Sequence, residues 1–259
     1  MLKGKTALVT GSTSGIGLGI AQALAREGAN IVINGFGAPD AISRVENELK
    51  GHKVRTLYHG ADMSKPAEIE QMMRSAESTF GKVDVLVNNA GIQHVAPVES
   101  FPVDKWDAII AINLTSAFHT TRLALPAMKA ANWGRIINIA SLHGLVASAE
   151  KSAYVAAKHG IVGLTKTVAL ETARTGVTCN AVCPGFVLTP LVQKQVDARA
   201  ERDGVDQEGA KAALLGEKQP SGRFVTTEQL AALVIFLCSP AADEVRGAAW
   251  NVDGGWYAQ

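Results

Sequence analysis

The sequence predicts an α/β protein in which helices cover both faces of a doubly wound parallel sheet. Short apolar segments alternate with longer segments of helical periodicity along the chain, as expected where strands are buried on both faces. The 25 glycines, 47% hydrophobic residues and few aromatic residues are typical of an α/β protein rich in tight turns. A chain of 259 residues approaches the size at which single cores stop growing, so we expect one domain over residues 1–259.

The charge balance and the cysteines limit the kinds of partner and the cellular location that we expect for this chain. There are 25 basic and 24 acidic residues and no run of like charge, which argues against nucleic acid or a membrane surface as a partner. The early first strand leaves no room for a signal peptide, and no apolar run approaches a membrane span in length. The three cysteines lie in apolar sequence without companion ligands, so we predict reduced thiols, no metal and a cytoplasmic location.

The first strand and helix enclose a glycine-rich turn. KTALVTG predicts a buried strand, and STSGIGLGIAQALAREG predicts an amphipathic helix that follows Gly11, Gly15 and Gly17. Missing side chains let the backbone approach a pyrophosphate, and the N-terminus of a helix offers free N–H groups. Ordinary turns also use glycine, but this spacing between a strand and a helix favours a dinucleotide site.

The second strand, ANIVING, bears on the choice of dinucleotide. It ends without the acidic residue that often holds a ribose hydroxyl. No Lys or Arg lies between Arg26 and Arg44 to hold a 2′-phosphate, so NAD is favoured. Asp40 is an outside candidate for the hydroxyl contact, although the start of a helix is its simpler role. Asp62, after the third strand, is a candidate for binding an adenine amino group or for capping the helix that begins near Ser64.

Two further strands end in polar residues. KVDVLVNNAGIQHV predicts an apolar strand ending at Asn88, Asn89 and Gly91, and GRIINIASLHG predicts another that delivers Ser141 and His143. Ligands bind at the carboxyl ends of the strands in parallel sheets. We therefore expect these side chains to meet at one edge of the sheet.

The remaining segments continue the alternation of predicted strands and helices. FPVDKWDAIIAINLTSAFHTTRLALPAMKA has helical periodicity with a polar interruption at Asn113, which is either solvated or serves a local bond or an ordered water. VTCNAVCPGFVLTPL predicts a strand ending in Pro184-Gly185, TTEQLAALVIFLCS a helix, and GAAWNVDGGW a last strand and turn. Residues from about 190 to 222 are polar and charged without a strong apolar face, and they predict a mobile helical flap over the ligand.

A tyrosine and a lysine lie four residues apart in the predicted helix AYVAAKHGIVGLTKTVALE. This spacing places Tyr154 and Lys158 on one face. A nearby cation lowers the pKa of a phenol from its usual value of about 10 and so favours proton transfer. Taken alone, the pair also suits a packed ring beside a solvated amine.

Together these motifs resemble the short-chain dehydrogenase/reductase family over nearly the whole chain. The resemblance rests on TGSTSGIG, NNAG, the Asn and Ser described above, YxxxK and the Pro-Gly pair. It implies a Rossmann-like fold, a nicotinamide cofactor and a catalytic tetrad. In that tetrad Tyr154 is the general acid/base and Ser141 polarises the substrate oxygen. Lys158 lowers the pKa of the tyrosine and binds the nicotinamide ribose, while Asn113 holds a water of the proton relay.

The resemblance also implies contacts with NAD from the glycine turn, the strand ends and the segment after Pro-Gly. The expected cofactor-binding residues are Gly11, Thr13, Ser14, Gly15, Ile16, Gly17, Phe36, Asp62, Asn89, Gly91, Tyr154, Lys158, Pro184, Gly185, Val187 and Thr189.

Residues that flank the tetrad suggest the substrate class. A cation, an imidazole and two amides beside a reactive alcohol suit a small carboxylate, which needs several charge-assisted hydrogen bonds; each of them alone also suits a solvated rim. GIQH, SLHGLVAS, KSAYVAAKHG, TPLVQKQ and VDGGWYAQ resemble bacterial family members that oxidise D-3-hydroxybutyrate. That resemblance implies a substrate site of Gln93, Ser141, His143, Lys151, Tyr154, Phe186, Gln195 and Trp256, of which Gln93, His143, Lys151 and Gln195 hold the carboxylate.

Two aromatic residues are expected to form the apolar wall of this site. Trp256 comes from the same chain or from a neighbouring subunit. Phe186 stands where related members have Trp after Pro-Gly, so an aromatic wall is kept while selectivity for the methyl group is less fixed.

The expected activity is a reversible, NAD-dependent oxidation of D-3-hydroxybutyrate to acetoacetate in a cytoplasmic homotetramer. One alternative is another short-chain reductase, such as a 3-oxoacyl reductase, which would favour NADPH and a basic docking patch, and neither signal is visible. The other is a non-catalytic nucleotide-sensing or scaffold protein, against which the intact tetrad argues.

Overall fold

The computed structural model describes residues 1–258. In this range a seven-stranded sheet, parallel throughout, has the strand order β3-β2-β1-β4-β5-β6-β7. The strands are β1 (Thr6–Val9), β2 (Asn30–Asn34), β3 (Thr56–His59), β4 (Val85–Asn88), β5 (Gly134–Ile139), β6 (Val177–Pro184) and β7 (Ala249–Val252). The strand order reverses between β1 and β4, so the carboxyl ends of these two strands flank a crevice.

Helices cover both faces of the sheet, as the sequence predicts. The α-helices are α1 (Gly15–Arg26), α2 (Pro39–Lys50), α3 (Pro66–Phe80), α4 (Val103–Ile110), α5 (Ser116–Ala130), α6 (Ser152–Thr172), α7 (Pro190–Asp203), α8 (Gln207–Gly216) and α9 (Thr227–Cys238). Within residues 1–258, none of them has both the length and the apolar content that a membrane crossing requires.

Alternate residues of each strand enter two different cores. On β4, Val85 and Val87 pack into the core formed with α1 and α9, whereas Leu86 packs into the core formed with α3, α5 and α6. Successive side chains of a strand point to opposite faces. Because both faces are covered, β4 is apolar up to Asn88 at its end, and this explains the uniform runs in the sequence.

The polar interruption in the fourth helical segment is a change of helix type. Between α4 and α5, Ala111–Thr115 form a single π-helical stretch, a local feature that often occurs at functional sites. The amide of Asn113 accepts a hydrogen bond from the backbone N–H of Ile92 and donates one to its carbonyl, both at 2.9 Å. Of the two alternatives for Asn113, the structure shows the local bond, and it ties the stretch to the loop after β4.

The segment predicted as a flap has an apolar face, which the sequence reasoning missed. Val192 and Val196 on α7 are four residues apart and buried, and so are Ala210 and Leu214 on α8. They form a small core of their own with Leu142, Leu215, Phe186 and Trp256. Both helices therefore pack against Phe186 and Trp256, two of the predicted substrate residues, while the mobility of the segment stays a prediction.

The three cysteines are buried and free. Burial raises the pKa of Cys179 to about 12, of Cys183 to about 11 and of Cys238 to about 12. The thiols therefore stay protonated at neutral pH, and a protonated thiol is a poor nucleophile.

Candidate active site

The glycine turn between β1 and α1 has no room for side chains. Gly11 and Gly15 have φ of 63° and 57°, in the left-handed region. A Cβ on Gly17 would overlap the carbonyl oxygen of Gly11 and lie 2.5 Å from the amide nitrogen of Asn89. Ser14, at the N-cap of α1, makes no side-chain capping bond. The turn therefore presents bare backbone at the N-terminus of a helix, as a pyrophosphate requires.

A cleft of about 410 Å³ extends from this turn across the carboxyl ends of the strands to Tyr154. All the residues expected to bind the cofactor line it except Gly17, which lies beneath the turn. The lining residues that sequence reasoning missed are mostly apolar: Asn34, Gly35, Ala61, Met63, Ala90, Ile92, Ile112, Ile139, Ala140, Pro190, Leu191 and Val192.

The end of β2 is built around a buried asparagine. Asn34 accepts a hydrogen bond from the N–H of Gly11 at 3.2 Å and donates to the carbonyls of His59 and Ala61 at 3.1 and 3.0 Å. It thus joins the ends of three neighbouring strands. Phe36 is 69% exposed at the rim of the cleft, at the end where a cofactor that lies along the glycine turn would place its adenosine half.

The acidic candidates are engaged locally. Asp62 accepts hydrogen bonds from the backbone N–H and the hydroxyl of Ser64, at 2.9 and 2.7 Å, and these bonds lower its pKa. Because α3 begins only at Pro66, Asp62 stabilises the turn before that helix, and its contact with adenine stays a prediction. Asp40 lies in the first turn of α2, pairs with Arg44 at 2.8 Å and does not line the cleft.

Tyr154 and Lys158 lie on α6 at the inner end of the cleft. The ammonium of Lys158 is 5.6 Å from the centroid of the Tyr154 ring and donates a hydrogen bond to the carbonyl of Ile139 at 2.8 Å. Burial raises the pKa of Tyr154, and its hydrogen bond with Ser141 opposes that rise. Burial lowers the pKa of Lys158 to about 8. Loss of hydration thus dominates the pKa of Tyr154 in this structure, and the expected lowering by Lys158 stays a prediction.

His143 stands between the tetrad and the aromatic wall. Its ring is 5.9 Å from that of Tyr154 and 5.3 Å from that of Trp256, edge-on in both cases. Its Nε2 is 2.8 Å from the hydroxyl of Ser148. Burial, then the positive charges of nearby lysines, lowers the pKa of His143 to about 3. The imidazole is therefore neutral at pH 7, with one ring nitrogen that donates and one that accepts.

The aromatic wall is contained within one chain. Trp256 is 7% exposed, and its ring lies 5.1 Å from that of Phe186 at an interplanar angle of 32°. The neighbouring-subunit alternative for Trp256 is thus not what this structure shows. Phe186 follows β6 directly, and its N–H donates to the buried amide oxygen of Gln219 at 2.8 Å.

Two of the other predicted substrate residues have polar atoms without a hydrogen-bond partner in the described residues, and a third is half-buried. Lys151, at the N-cap of α6, is half-buried, and within residues 1–258 its ammonium makes no hydrogen bond or ion pair. Burial and the charge of Lys218 lower its pKa. The amide nitrogen of Gln93 is buried without a hydrogen-bond partner in the described residues. Gln195 is half-buried on α7, beside the buried Val196. Unpaired buried polar groups cost free energy that a ligand can recover.

The model of the family described as short chain dehydrogenase matches residues 5–200, which include the glycine turn and the tetrad. This chain belongs to that family. It is therefore an oxidoreductase of the short-chain dehydrogenase type, with a nicotinamide dinucleotide as cofactor.

Three similar proteins illustrate the relationship. A protein of Cupriavidus necator named D-beta-hydroxybutyrate dehydrogenase is 71% identical over 259 residues, 100% of each chain. One of the same name from Rhizobium meliloti is 57% identical, over 98% of this chain and 99% of its own. The structure of L-sorbose reductase from Gluconobacter frateurii, solved with NADPH and L-sorbose, has a TM-score of 0.94 at 32% identity, over 100% of this chain and 98% of that one.

One charged residue of this short-chain dehydrogenase escaped the sequence reasoning altogether. Lys218 follows α8 and lies 5.9 Å from the centroid of the Trp256 ring. In the sequence it occurs in the polar stretch GEKQPSG, where a lysine has no feature that distinguishes it from a solvated charge. Only the packing of α8 against the aromatic wall places it near the site.

Proposed function

We propose that this dehydrogenase oxidises D-3-hydroxybutyrate to acetoacetate with NAD, reversibly. The half-buried ammonium of Lys151, without a partner in residues 1–258, is the observation that carries the proposal. It supplies the charge that a small carboxylate needs, beside a tyrosine suited to proton transfer. The two relatives at 71% and 57% identity bear the name of this activity and support the same assignment.

The four polar residues around this site are proposed to share the carboxylate. Lys151 would provide a charge-assisted bond, and the amides of Gln93 and Gln195 would donate to the same oxygens. The neutral imidazole of His143 adds a donor without a second full charge. Trp256 and Phe186 would then enclose the short alkyl part of the hydroxy acid, which leaves the hydroxyl toward Tyr154.

The proposed proton transfers follow from the geometry of the tetrad. Ser141 is near enough to Tyr154 to lower its pKa, so the two hydroxyls would together hold the substrate oxygen. The raised pKa keeps Tyr154 a phenol at neutral pH, which donates a proton to a carbonyl in the direction of reduction. In the direction of oxidation the phenolate form of Tyr154 accepts the alcohol proton and becomes a phenol, so higher pH favours this direction. Lys158 would stabilise that phenolate, while Asn113 would hold the expected water of the relay.

The residues of the cleft fit a nicotinamide dinucleotide. The bare glycine turn would hold the pyrophosphate, and the ammonium of Lys158 would hold the nicotinamide ribose. When bound, NAD accepts the hydride from the alcohol carbon. Among the cleft-lining residues of the described chain, Lys158 is the only Lys or Arg, and it lies at the tyrosine end. The lack of a cation beside Phe36 supports NAD over NADP.

We propose a cytoplasmic homotetramer as the working form. Several large apolar side chains on α4, α5 and α6 are exposed, among them Val103 at 74% and Leu170 at 80%. Exposed apolar surface of this kind marks interaction sites. Light scattering after size exclusion is expected to give a mass about four times the 27.2 kDa of the chain; a monomer would contradict the assembly and leave the activity proposal unaffected.

A substrate panel tests the activity. We expect acetoacetate and NADH in equal amounts from D-3-hydroxybutyrate and NAD, and much lower rates with the L-isomer and with the uncharged methyl ester. A preference for the ester, or for carrier-bound 3-oxoacyl substrates with NADPH, would instead support the alternative short-chain reductase. A purified protein that binds NAD and turns over none of these substrates would support the nucleotide-sensing role.

A further inference from the structure

Four side chains form a row that leads away from the tetrad. Tyr154 is in edge contact with His143, His143 is in edge contact with Trp256, and the ammonium of Lys218 lies 5.9 Å from the centre of the Trp256 ring. Lys218 is half-buried. A cation at this distance from an indole is attracted to its ring. The row therefore ends in a positive charge that two ring contacts separate from the phenol.

The backbone that carries Lys218 is fixed to the aromatic wall. Its neighbour Gln219 is 1% exposed, accepts the N–H of Phe186 at 2.8 Å and donates to the carbonyl of Arg223. The backbone N–H groups of Lys218 and Gln219 both bond to the carbonyl of Leu215, in the last turn of α8. The position of Lys218 is thus set by the same contacts that hold Phe186 in place.

We propose that Lys218 is a further specificity-determining residue, a second cation that draws a carboxylate substrate into the pocket beside Lys151. This inference rests on the proposed function. It adds to the proposed substrate site one residue of the segment predicted as a flap. The charge of Lys218 disfavours the ammonium of Lys151, so an anion bound near both would be attracted by each of them. Burial is the main cause of the lowered pKa of Lys151 and of His143, and the charge of Lys218 adds to both shifts.

The structure distinguishes the two lysines. Lys151 is set at the start of α6, next to the tetrad, and suits direct contact with the carboxylate. Lys218 lies 5.9 Å from the centroid of the Trp256 ring and would act on the carboxylate through its electric field. The effect of its charge should therefore depend on ionic strength more than on exact placement. Arginine at position 218 should therefore substitute for it, whereas a neutral residue should not.

The test compares Lys218→Gln and Lys218→Arg with Lys211→Gln, a control on α8 whose lysine pairs with the exposed Glu208 at 2.7 Å. For Lys218→Gln we expect the KM for D-3-hydroxybutyrate to rise about 3- to 10-fold at low salt, and the difference to shrink at high salt. The KM for NAD, kcat, and the KM for the uncharged methyl ester should stay unchanged. Lys218→Arg and Lys211→Gln should behave as wild type.

Binding of butyrate, measured by calorimetry with the NAD-saturated protein, separates the two proposals. If wild type binds butyrate more tightly than Lys218→Gln but does not oxidise hydroxybutyrate, the activity proposal fails and the anion role of Lys218 stands. The role of Lys218 would be overturned by equal butyrate affinity in both proteins or by no butyrate binding to wild type. It would also be overturned if Lys218→Gln raised the KM for the ester as much as the KM for the acid.

Discussion

Replacing Lys151 by alanine tests whether its ammonium holds the substrate carboxylate. Burial and a neighbouring lysine already lower its pKa, so the group has lost part of its hydration before any ligand binds. A hydrogen bond between charged partners contributes about 1.5–3 kcal/mol. Because about 1.4 kcal/mol corresponds to a tenfold change in affinity, the KM for D-3-hydroxybutyrate should rise about 10- to 150-fold.

The assay follows NADH formation while hydroxybutyrate and NAD are varied separately. Lys151→Met removes the charge and keeps most of the side chain, so it should match Lys151→Ala. Lys166, exposed on the same helix, provides the control Lys166→Ala, which should leave both KM values unchanged. An equal rise in the two KM values of Lys151→Ala, or none in either, would refute the reasoning.

Three further predictions concern the tetrad, the imidazole and the glycine turn. Tyr154→Phe should lower kcat by about 10²–10⁴-fold while NAD still binds, as measured by fluorescence titration. Because the pKa of His143 is lowered to about 3, only the unfolded chain binds a proton at this imidazole between about pH 3 and 6.5. The free energy of unfolding therefore rises with pH in this range. In His143→Gln it should rise less steeply, by the amount that corresponds to the uptake of about one proton on unfolding. Gly17→Ala should lower both the NAD affinity and the Tm, because its Cβ would overlap Gly11.

Each of these has a result that would count against it. Retained turnover in Tyr154→Phe would remove the phenol from the mechanism. An unchanged pH slope in His143→Gln would mean that the imidazole titrates normally in the folded protein. For the glycine turn, Gly163→Ala on α6 is the control, since its Cβ would meet no atom within 4 Å and should stabilise the helix by about 0.5–1 kcal/mol. Equal behaviour of the two alanine variants would contradict the steric argument at Gly17.

Much of the fold could be predicted because its signals are local. A strand covered on both faces is mostly apolar, as β4 is over Val85–Val87, and the glycine turn lies between the segments that form β1 and α1. The family and the oxidoreductase activity were predictable for the same reason, since the motifs lie at fixed places along this alternation. The structure and the comparisons confirm these predictions.

The remaining properties depend on contacts between distant parts of the chain. The pKa of Tyr154 is raised because side chains from other elements exclude water, and a Tyr/Lys spacing on one helix contains no information about that exclusion. The spacing of Val192 and Val196 did signal an apolar face on α7, but the many charged residues around them obscured it. Lys218 gave no signal, since only the packing of α8 on Trp256 brings its charge to the pocket.

The central claim is that this chain oxidises D-3-hydroxybutyrate with NAD. The most direct measurement is kcat/KM for D-3-hydroxybutyrate with NAD and with NADP, determined side by side on the purified wild-type protein. The account predicts rapid NADH formation and a strong preference for NAD, because residues 1–258 place no cation among the residues that line the cleft beside Phe36. Absence of turnover with both cofactors, or a preference for NADP, would contradict it.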